Sequence, residues 1–373
     1  MTKHDDLLPE GLEDRLPREA EAITRAMRAC LDVLSSHGYD RVRPPLLEFE
    51  KSLAGRMAKS ETDAQPRRMF RFVDPVSLRT LALRSDITPQ IGRIAATSMS
   101  GSARPLRLAY CGETAVIKAD QLDPARERTQ LGAELIGADT VSAASEVVAL
   151  AVEALTAAGL SGISVDFTLP DVVDTLADKA IPLAPEARDA VRRELDMKDA
   201  GGLKQVGGDS YLPLLYATGP FEDAVAKLQK IDAGGALASR IAGLKDIAAR
   251  IDSAARITLD PTERHGFEYQ SWFGFTLYAE GVRGAVGRGG TYLIAGSEEA
   301  ATGFSLYVDQ LVAASAQDRD AKMVYLPLGY DAETAAKLRA EGWRTLAQIG
   351  EEEDVAALGC THRLDGKDIS PLS

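Results

Sequence analysis

The β-type pattern of this chain breaks off in its middle and then resumes, and that interruption restricts the folds open to it more than any single motif does. Strand-like segments run as far as residues 163–169; between about 170 and 255, Ala, Leu, Asp and Lys recur at helical spacing, punctuated by Gly201-Gly202, Gly207-Gly208 and Gly234-Gly235. β-type segments then return at 267–278, 284–294 and 303–306. One mostly antiparallel sheet assembled from both flanks, with a helical insertion over about 170–255, accounts for this order. The last stretch is different: 323–328, 332–340, 343–349, 354–358 and 361–364 alternate strand and helix and end in an Asp365-Gly366 turn. We therefore expect a core over residues 1–318 and a small α/β domain over 319–373.

Within the core, Ile23, Met27, Cys30, Leu31 and Leu34 recur at three- and four-residue steps between Pro17 and Gly38, predicting an amphipathic helix over 17–37. Residues 39–49 surround Pro44-Pro45, which cannot donate to a sheet ladder, and read as an extended segment at an edge or interface. The runs 69–73 and 78–83 flank Asp74-Pro75-Val76-Ser77 and predict a hairpin. Strands are expected at 106–110 and 129–136, joined through a polar loop at 118–128 whose length suggests a role. Helices are expected at 143–155 and 307–314.

Charge and cysteine usage exclude several classes. The formal net charge of −13 opposes a polyphosphate partner, so no nucleic acid is expected. Cys30, Cys111 and Cys360 form no CxxC pair, which fits a reducing compartment, and the cytoplasm is the expected location. No stretch has the uninterrupted apolar length of a membrane span. The histidines His4, His37, His265 and His362 lack ligand spacing, so no metal is expected; GAVGRGGTY lacks the GxGxxG spacing and no phosphate-loop motif occurs, so no cofactor is expected either.

Chemistry then has few places to sit. Arg84, Asp86 and Thr88 stand in LRSDITP, Gln130 and Glu134 in TQLGAELIG, and Gly287, Gly289 and Gly290 in GRGG. In an alternating strand Gln130, Gly132 and Glu134 share one face. Glu134 is flanked by Ala133, Leu135 and Ile136, and a carboxylate in such surroundings needs a cationic or hydrogen-bonding partner. The glycines allow a ligand or another backbone to come close. Each feature also has a plain structural reading: an Arg84–Asp86 ion pair, a satisfied buried acid at Glu134, a strand turn at Gly289-Gly290.

The succession PEGLEDRLP, GYDRVRPPLLE, MFRFVDPVSLRTLALRSDIT, QLGAELIG, RHGFEYQS, GRGGTY and GFSLYVDQL resembles the ordered motifs of the histidyl-tRNA synthetase core over roughly residues 8–315. Where the synthetase continues into an anticodon-binding domain, this chain has only its short tail, with LRAEGWRTLA and LGCTHRLDGK. Core and tail together resemble the regulatory subunits of ATP phosphoribosyltransferase, the synthetase-like partners of the short-form catalytic subunit in histidine biosynthesis. The resemblance implies an α+β fold with a class II aminoacyl-tRNA synthetase-like antiparallel sheet flanked by helices, and a homodimer through the core across residues 39–50. It implies ligand contacts at Asp86, Thr88, Gln130, Glu134 and Tyr292, with Glu268 a further candidate, and places Arg84, Arg126, His265, Gly289 and Gly290 beside the pocket.

The departures from the synthetase pattern are as informative. Val116 stands where the motif 2 arginine should, Gln310 where the motif 3 arginine should, and His265, one place after Arg264, where the histidine-specific arginine should; Thr291 and Leu293 also depart. Stabilisers of this kind are each worth on the order of 10²- to 10³-fold in rate. The resemblance therefore implies a subunit that does not catalyse, assembles with the catalytic subunit and passes on inhibition by L-histidine, its candidate effector. The rivals are a divergent ligase that activates a carboxylate with ATP, using Arg126, Arg128 or Arg288 as a substitute phosphate clamp, and an RNA-binding module, which the net charge disfavours.

Overall fold

The computed structural model describes residues 8–57, 69–118, 124–251, 253–264, 270–297, 299–312, 322–351 and 353–372. They divide into two compact units, residues 1–315 and 316–373.

The first unit opens with α1 (Pro17–Ser36), which has proline in its first turn and buries Ala22, Ala26, Cys30 and Leu34, a stripe at four-residue spacing. Gly38 follows at φ 79°, a conformation that glycine adopts freely. Tyr39 is buried and leads into β1 (Asp40–Arg41). β2 (Leu47–Phe49), β3 (Arg71–Val73) and β4 (Thr80–Leu83) form a small sheet in the order β2-β4-β3. Its hairpin turn is closed by Asp74, which accepts hydrogen bonds from the Val76 and Ser77 amides.

After α2 (Glu50–Met57) and α3 (Thr88–Ala96) come β5 (Leu106–Ala115), β6 (Glu127–Ile136), α4 (Val141–Ala157) and β7 (Ser164–Thr168). The helical stretch follows: α5 (Val172–Lys179), α6 (Pro185–Asp196), α7 (Ala200–Gln205), α8 (Phe221–Ile231) and α9 (Ala238–Ile251), with β8 (Gly219–Pro220) before α8. β9 (Arg256–Leu259), β10 (Gln270–Tyr278), β11 (Gly287–Ile294), β12 (Glu299–Tyr307) and α10 (Val308–Val312) complete the unit.

The strands before and after the helical stretch share one nine-stranded sheet, β1-β5-β6-β12-β11-β10-β7-β9-β8. It is parallel at β1/β5 and β7/β9 and antiparallel elsewhere, so the β pattern does resume in the sheet it left, as the α+β expectation required. α4 lies on one face, its first turn capped by Thr140 accepting from the Ala143 amide, and buries Val147, Val148, Leu150, Ala151 and Leu155. Phe167, Phe273 and Phe275 extend that core with ring centroids 5.3 and 5.8 Å apart. Each such side chain contributes roughly 1.5–3 kcal/mol on burial.

Two local expectations need correction. β5 and β6 pair from Leu106↔Ile136 out to Ala115↔Glu127, so the polar joint is shorter than 118–128 at its far end: an antiparallel ladder needs one buried face and tolerates charge on the other. In the second unit residues 354–358 form turns instead of a helix, with Asp354 accepting from the Ala357 amide and Gly359, at φ 75°, turning the chain directly afterwards. That unit holds β13 (Met323–Leu326), α11 (Ala332–Ala340), β14 (Arg344–Ala347), β15 (His362–Asp365) and β16 (Asp368–Pro371) in the order β14-β13-β15-β16. Val324, Leu326, Ala335, Leu338 and Leu364 are its core.

The Pro44-Pro45 segment is held by Arg84. Neither proline joins a ladder, and their carbonyls take donors from elsewhere: Arg84 Nη1 donates to Pro44 O at 3.1 Å and Gln90 Nε2 to Pro45 O at 2.8 Å. Arg84 Nε donates to Glu113 O at 2.7 Å, and the guanidinium fits because residue 112 is glycine; a Cβ there would lie 2.2 Å from Arg84 Nη2. The anticipated Arg84–Asp86 ion pair is absent among the described residues, since the guanidinium is spent on main-chain carbonyls. Replacing Arg84, only 5% exposed, by Met should leave buried carbonyls without donors and lower the unfolding free energy by about 3 kcal/mol. Urea unfolding would measure the loss, and a change under about 0.5 kcal/mol would contradict this role.

Candidate functional site

The site is built around the middle of β6. Glu134 lies opposite Leu108 on β5 and Gly303 on β12; Gln130 and Gly132 share its face. Two glycines make the arrangement possible. A Cβ on Gly303 would fall 1.7 Å from Glu134 Oε2, and one on Gly132 would fall 2.4 Å from the Tyr110 hydroxyl. The chain gives up side chains at these positions so that a carboxyl and a phenol can lie flat on the sheet.

A hydroxyl network surrounds the carboxyl. Tyr292 donates to Glu134 Oε2 at 2.7 Å and Tyr110 to Oε1 at 3.3 Å. The Tyr110 oxygen is also 2.8 Å from Ser305 Oγ and 3.1 Å from Thr88 Oγ1. Gln130 Nε2 donates to Asp86 Oδ1 and to Ser305 Oγ, both at 2.8 Å, while Gln130 Oε1 accepts from the Ile87 amide. Asp86 Oδ1 accepts from the Thr88 amide at the start of α3, which fixes that helix to the site.

Glu134 is 1% exposed and no cation pairs with it among the described residues. Burial pushes its acid up to about 8, with the nearby Asp86 charge adding to the rise and the Tyr292 hydrogen bond opposing it. The Tyr110 hydroxyl is raised too, first by burial and then by Glu134. A carboxyl held this way, with Asp86 close by, favours an incoming ammonium or ring N–H over an anion.

The cleft over these groups is bounded by Thr88, Glu134, Gln270, Arg288, Tyr292 and Ser305. Its free volume is about 20 Å³, room for little more than a water molecule, so a larger ligand must displace side chains to enter.

Of the residues expected at the site, Asp86, Thr88, Gln130, Glu134 and Tyr292 meet in one network. Gly289 and Gly290 line the same cleft, in the interior of β11 and not in a turn, where a Cβ would come within 2.4 Å of the Phe275 ring and 2.6 Å of Phe273 O respectively. Arg84 serves the Pro44-Pro45 segment. Arg126 is also engaged elsewhere: it donates to Glu10 O and Val116 O and lies 5.2 Å over the Phe70 ring. His265 and Glu268 fall outside the described residues. Arg264 precedes them, with its backbone N–H bound to Asp196 and its Nε buried.

Tyr110, Ser305 and Gln270 were not singled out from sequence. Tyr110 carried a signal, since a phenol within an apolar strand must find a partner for its hydroxyl; Ser305 and Gln270 carried none.

A separate cleft of about 690 Å³ is lined by Arg15, Glu19, Arg128, Arg283, Asp309 and Gln310, among others. Arg15 pairs there with Glu13 and Glu19, and Arg128 lies 5.2 Å over the Tyr307 ring. Its cations are matched by carboxylates, a poor lining for a triphosphate.

The model of the histidyl-tRNA synthetase family matches residues 11–311. A relative from Rhodospirillum centenum, named ATP phosphoribosyltransferase regulatory subunit, is 39% identical over 98% of this chain and 96% of its own length. One of the same name from Paramagnetospirillum magneticum is 38% identical, with 96% of each chain covered. Among solved structures, an ATP phosphoribosyltransferase regulatory subunit/histidyl-tRNA synthetase from Bacillus halodurans superposes with a TM-score of 0.79 at 26% identity, covering 96% of this chain and 97% of its own. A histidyl-tRNA synthetase from Nostoc gives 0.75 at 15% identity, covering 97% and 91%, and supports the fold alone.

The protonation of Glu134 sets a pH dependence. In the unfolded chain the carboxyl ionises near its ordinary value of 4.5, whereas the folded protein keeps its proton up to about 8. The folded state binds more protons in that window, so the contribution of this group to stability falls as pH rises from 4.5 towards 8, by up to about 1.4 kcal/mol per unit. Glu134→Gln should remove that slope. Urea unfolding of both proteins at pH 5, 6, 7 and 8 should show the wild type losing stability relative to the variant; parallel curves would refute the assignment.

Proposed function

The chain belongs to the histidyl-tRNA synthetase family, in the branch of the ATP phosphoribosyltransferase regulatory subunits, and from that premise we propose that it activates the short-form catalytic subunit and confers feedback by L-histidine. It is a non-catalytic subunit of that enzyme, and the observation that carries this is the match along nearly its whole length to relatives of that name. The losses at Val116 and Gln310 agree with it. Just past the end of β5 the Val116 amide donates to Arg126 O and its carbonyl accepts from Arg126 Nε, and Gln310 lines the cleft where cations and carboxylates balance.

The effector binds, in this reading, at Glu134. An α-ammonium or imidazole N–H would find acceptors in Glu134 and Asp86, with Gln130, Tyr292 and Thr88 ordering them. Inhibition requires that histidine bind the inhibited assembly more tightly than the active one, and typical couplings are roughly 1–3 kcal/mol. The proposed self-interface is residues 39–50. Leu46 and Leu47 are exposed there, and the neighbouring hairpin exposes Phe72, Val73, Val76 and Leu78, an apolar surface suited to a second copy. We also propose a cytoplasmic location and the division into a core over residues 1–318 and a small domain over 319–373. The net charge of −13 supports the absence of a nucleic-acid partner.

The test is ATP phosphoribosyltransferase activity of the short-form catalytic subunit, with and without this protein, across a histidine titration. Activity should appear or rise only with both chains and fall as histidine is added. No change in activity and no co-elution would sink the proposal. The double substitution Gln130→Ala, Glu134→Ala should leave activation in place and abolish histidine inhibition; undiminished inhibition would move the effector site elsewhere.

A further inference from the structure

The self-association surface proposed above and the carboxyl pocket share one short helix, α3. Within residues 44–48 the chain faces two ways. The side chains of Leu46 and Leu47 are exposed, whereas the carbonyls of Pro44 and Pro45 and the carboxylate of Glu48 are turned to Arg84, Gln90 and Arg93. Two of those three belong to α3. Gln90 is buried and donates through Nε2 to Pro45 O at 2.8 Å; one turn further on, Arg93 Nη2 lies 2.5 Å from Glu48 Oε1. The Arg84 amide adds a tie of its own, donating to Leu46 O at 3.2 Å where the chain leaves β4 for Asp86.

The other side of α3 belongs to the pocket. Thr88, its first residue, places its hydroxyl 3.1 Å from the Tyr110 oxygen, and Asp86 accepts from both the Thr88 amide and Gln130 Nε2. Ile87, Ile91 and Ala95 pack in one cluster with Tyr110 and Tyr292, whose hydroxyls reach Glu134. Against β11 the fit is close: a Cβ on Gly92 would come within 3.0 Å of Ile294 Cγ2. A short helix gripped on two sides in a close-packed interior transmits displacement from one side to the other. Every step from Pro45 through Gln90, Thr88 and Tyr110 to Glu134 is a bond along α3 or a direct contact.

We infer that α3 couples ligand binding at Glu134 to self-association through residues 44–48, with Gln90 and Arg93 as its positioning residues. The inference rests on the histidine site and the self-interface proposed above. Neither residue lines the cleft; both act through the helix they belong to. A ligand that fixes Asp86 and Thr88 fixes the start of α3 and so orders residues 44–48 before a second copy arrives. The entropy of ordering is then lost once instead of twice, which makes the coupling positive, and by reciprocity the second copy strengthens ligand binding by the same factor.

Subunit exchange between copies labelled with donor and acceptor dyes reads the dissociation rate, where most of an affinity change resides. Saturating L-histidine should slow exchange of the wild type about five- to tenfold, within the usual range of such couplings. It should also slow amide hydrogen exchange over residues 44–50 and 84–96. In Gln90→Met, which removes the donor and little volume, histidine should change subunit exchange by less than about twofold. Arg93→Glu should uncouple the two events in the same way, and Arg93→Glu combined with Glu48→Arg should restore the coupling, which a general loss of stability would not do. Subunit exchange that histidine leaves unchanged, with binding seen by calorimetry, would overturn the coupling alone. Coupling at wild-type strength in both Gln90→Met and Arg93→Glu would remove α3 as its carrier. A wild type that binds no L-histidine would remove the effector site, a monomeric one would remove the self-interface, and either would take the coupling with it.

Discussion

A carboxyl side chain in the middle of a buried strand, with hydroxyls for neighbours and no cation paired to it among the described residues, is the constraint to which the centre of this structure is fitted. Glu134 lies flat only because Gly303 faces it across β12, and Tyr110 reaches it only because Gly132 does not block the way. The hydroxyls of Tyr110, Tyr292, Ser305 and Thr88 then have to come from four different elements, β5, β11, β12 and α3. Strand register and helix start are thereby tied to one group whose desolvation must be offset.

That centre was legible in part from local pattern. The period of two along TQLGAELIG put Gln130 and Glu134 on one face, and an acid between aliphatic neighbours marked itself as a group needing partners. The interrupted β pattern predicted a sheet that resumes, and it does. Other features had no local trace. Arg84 sits near Asp86 in sequence, yet its partners are the carbonyls of Pro44 and Glu113, chosen by a sheet ladder and a proline pair that sequence distance does not reveal. Ser305 looked like an ordinary strand serine, because its role follows from a β6–β12 register fixed far from either residue. In the tail, composition at 354–358 suggested a helix where the chain instead turns into Gly359.

The positions that depart from the synthetase pattern and the carboxyl network occupy separate parts of the sheet. The groups absent at Val116 and Gln310 belong to the end of β5 and the start of α10, while the carboxyl network occupies the centre of β6, β11 and β12. The cleft beside Gln310 sets Glu13, Glu19 and Asp309, all three within ion-pair distance of Arg15, among its arginines and so offers little net field to a polyphosphate.

The narrowness of the cleft over Glu134 has its own consequence. Where the cleft leaves room for about one water, a larger ligand would bind only molecules in which the cleft had opened, and its observed dissociation constant would be the intrinsic one divided by that open fraction. Sensitivity then becomes adjustable from a distance. Substitutions that altered the open fraction would then shift the apparent affinity for such a ligand while leaving every contact with it intact.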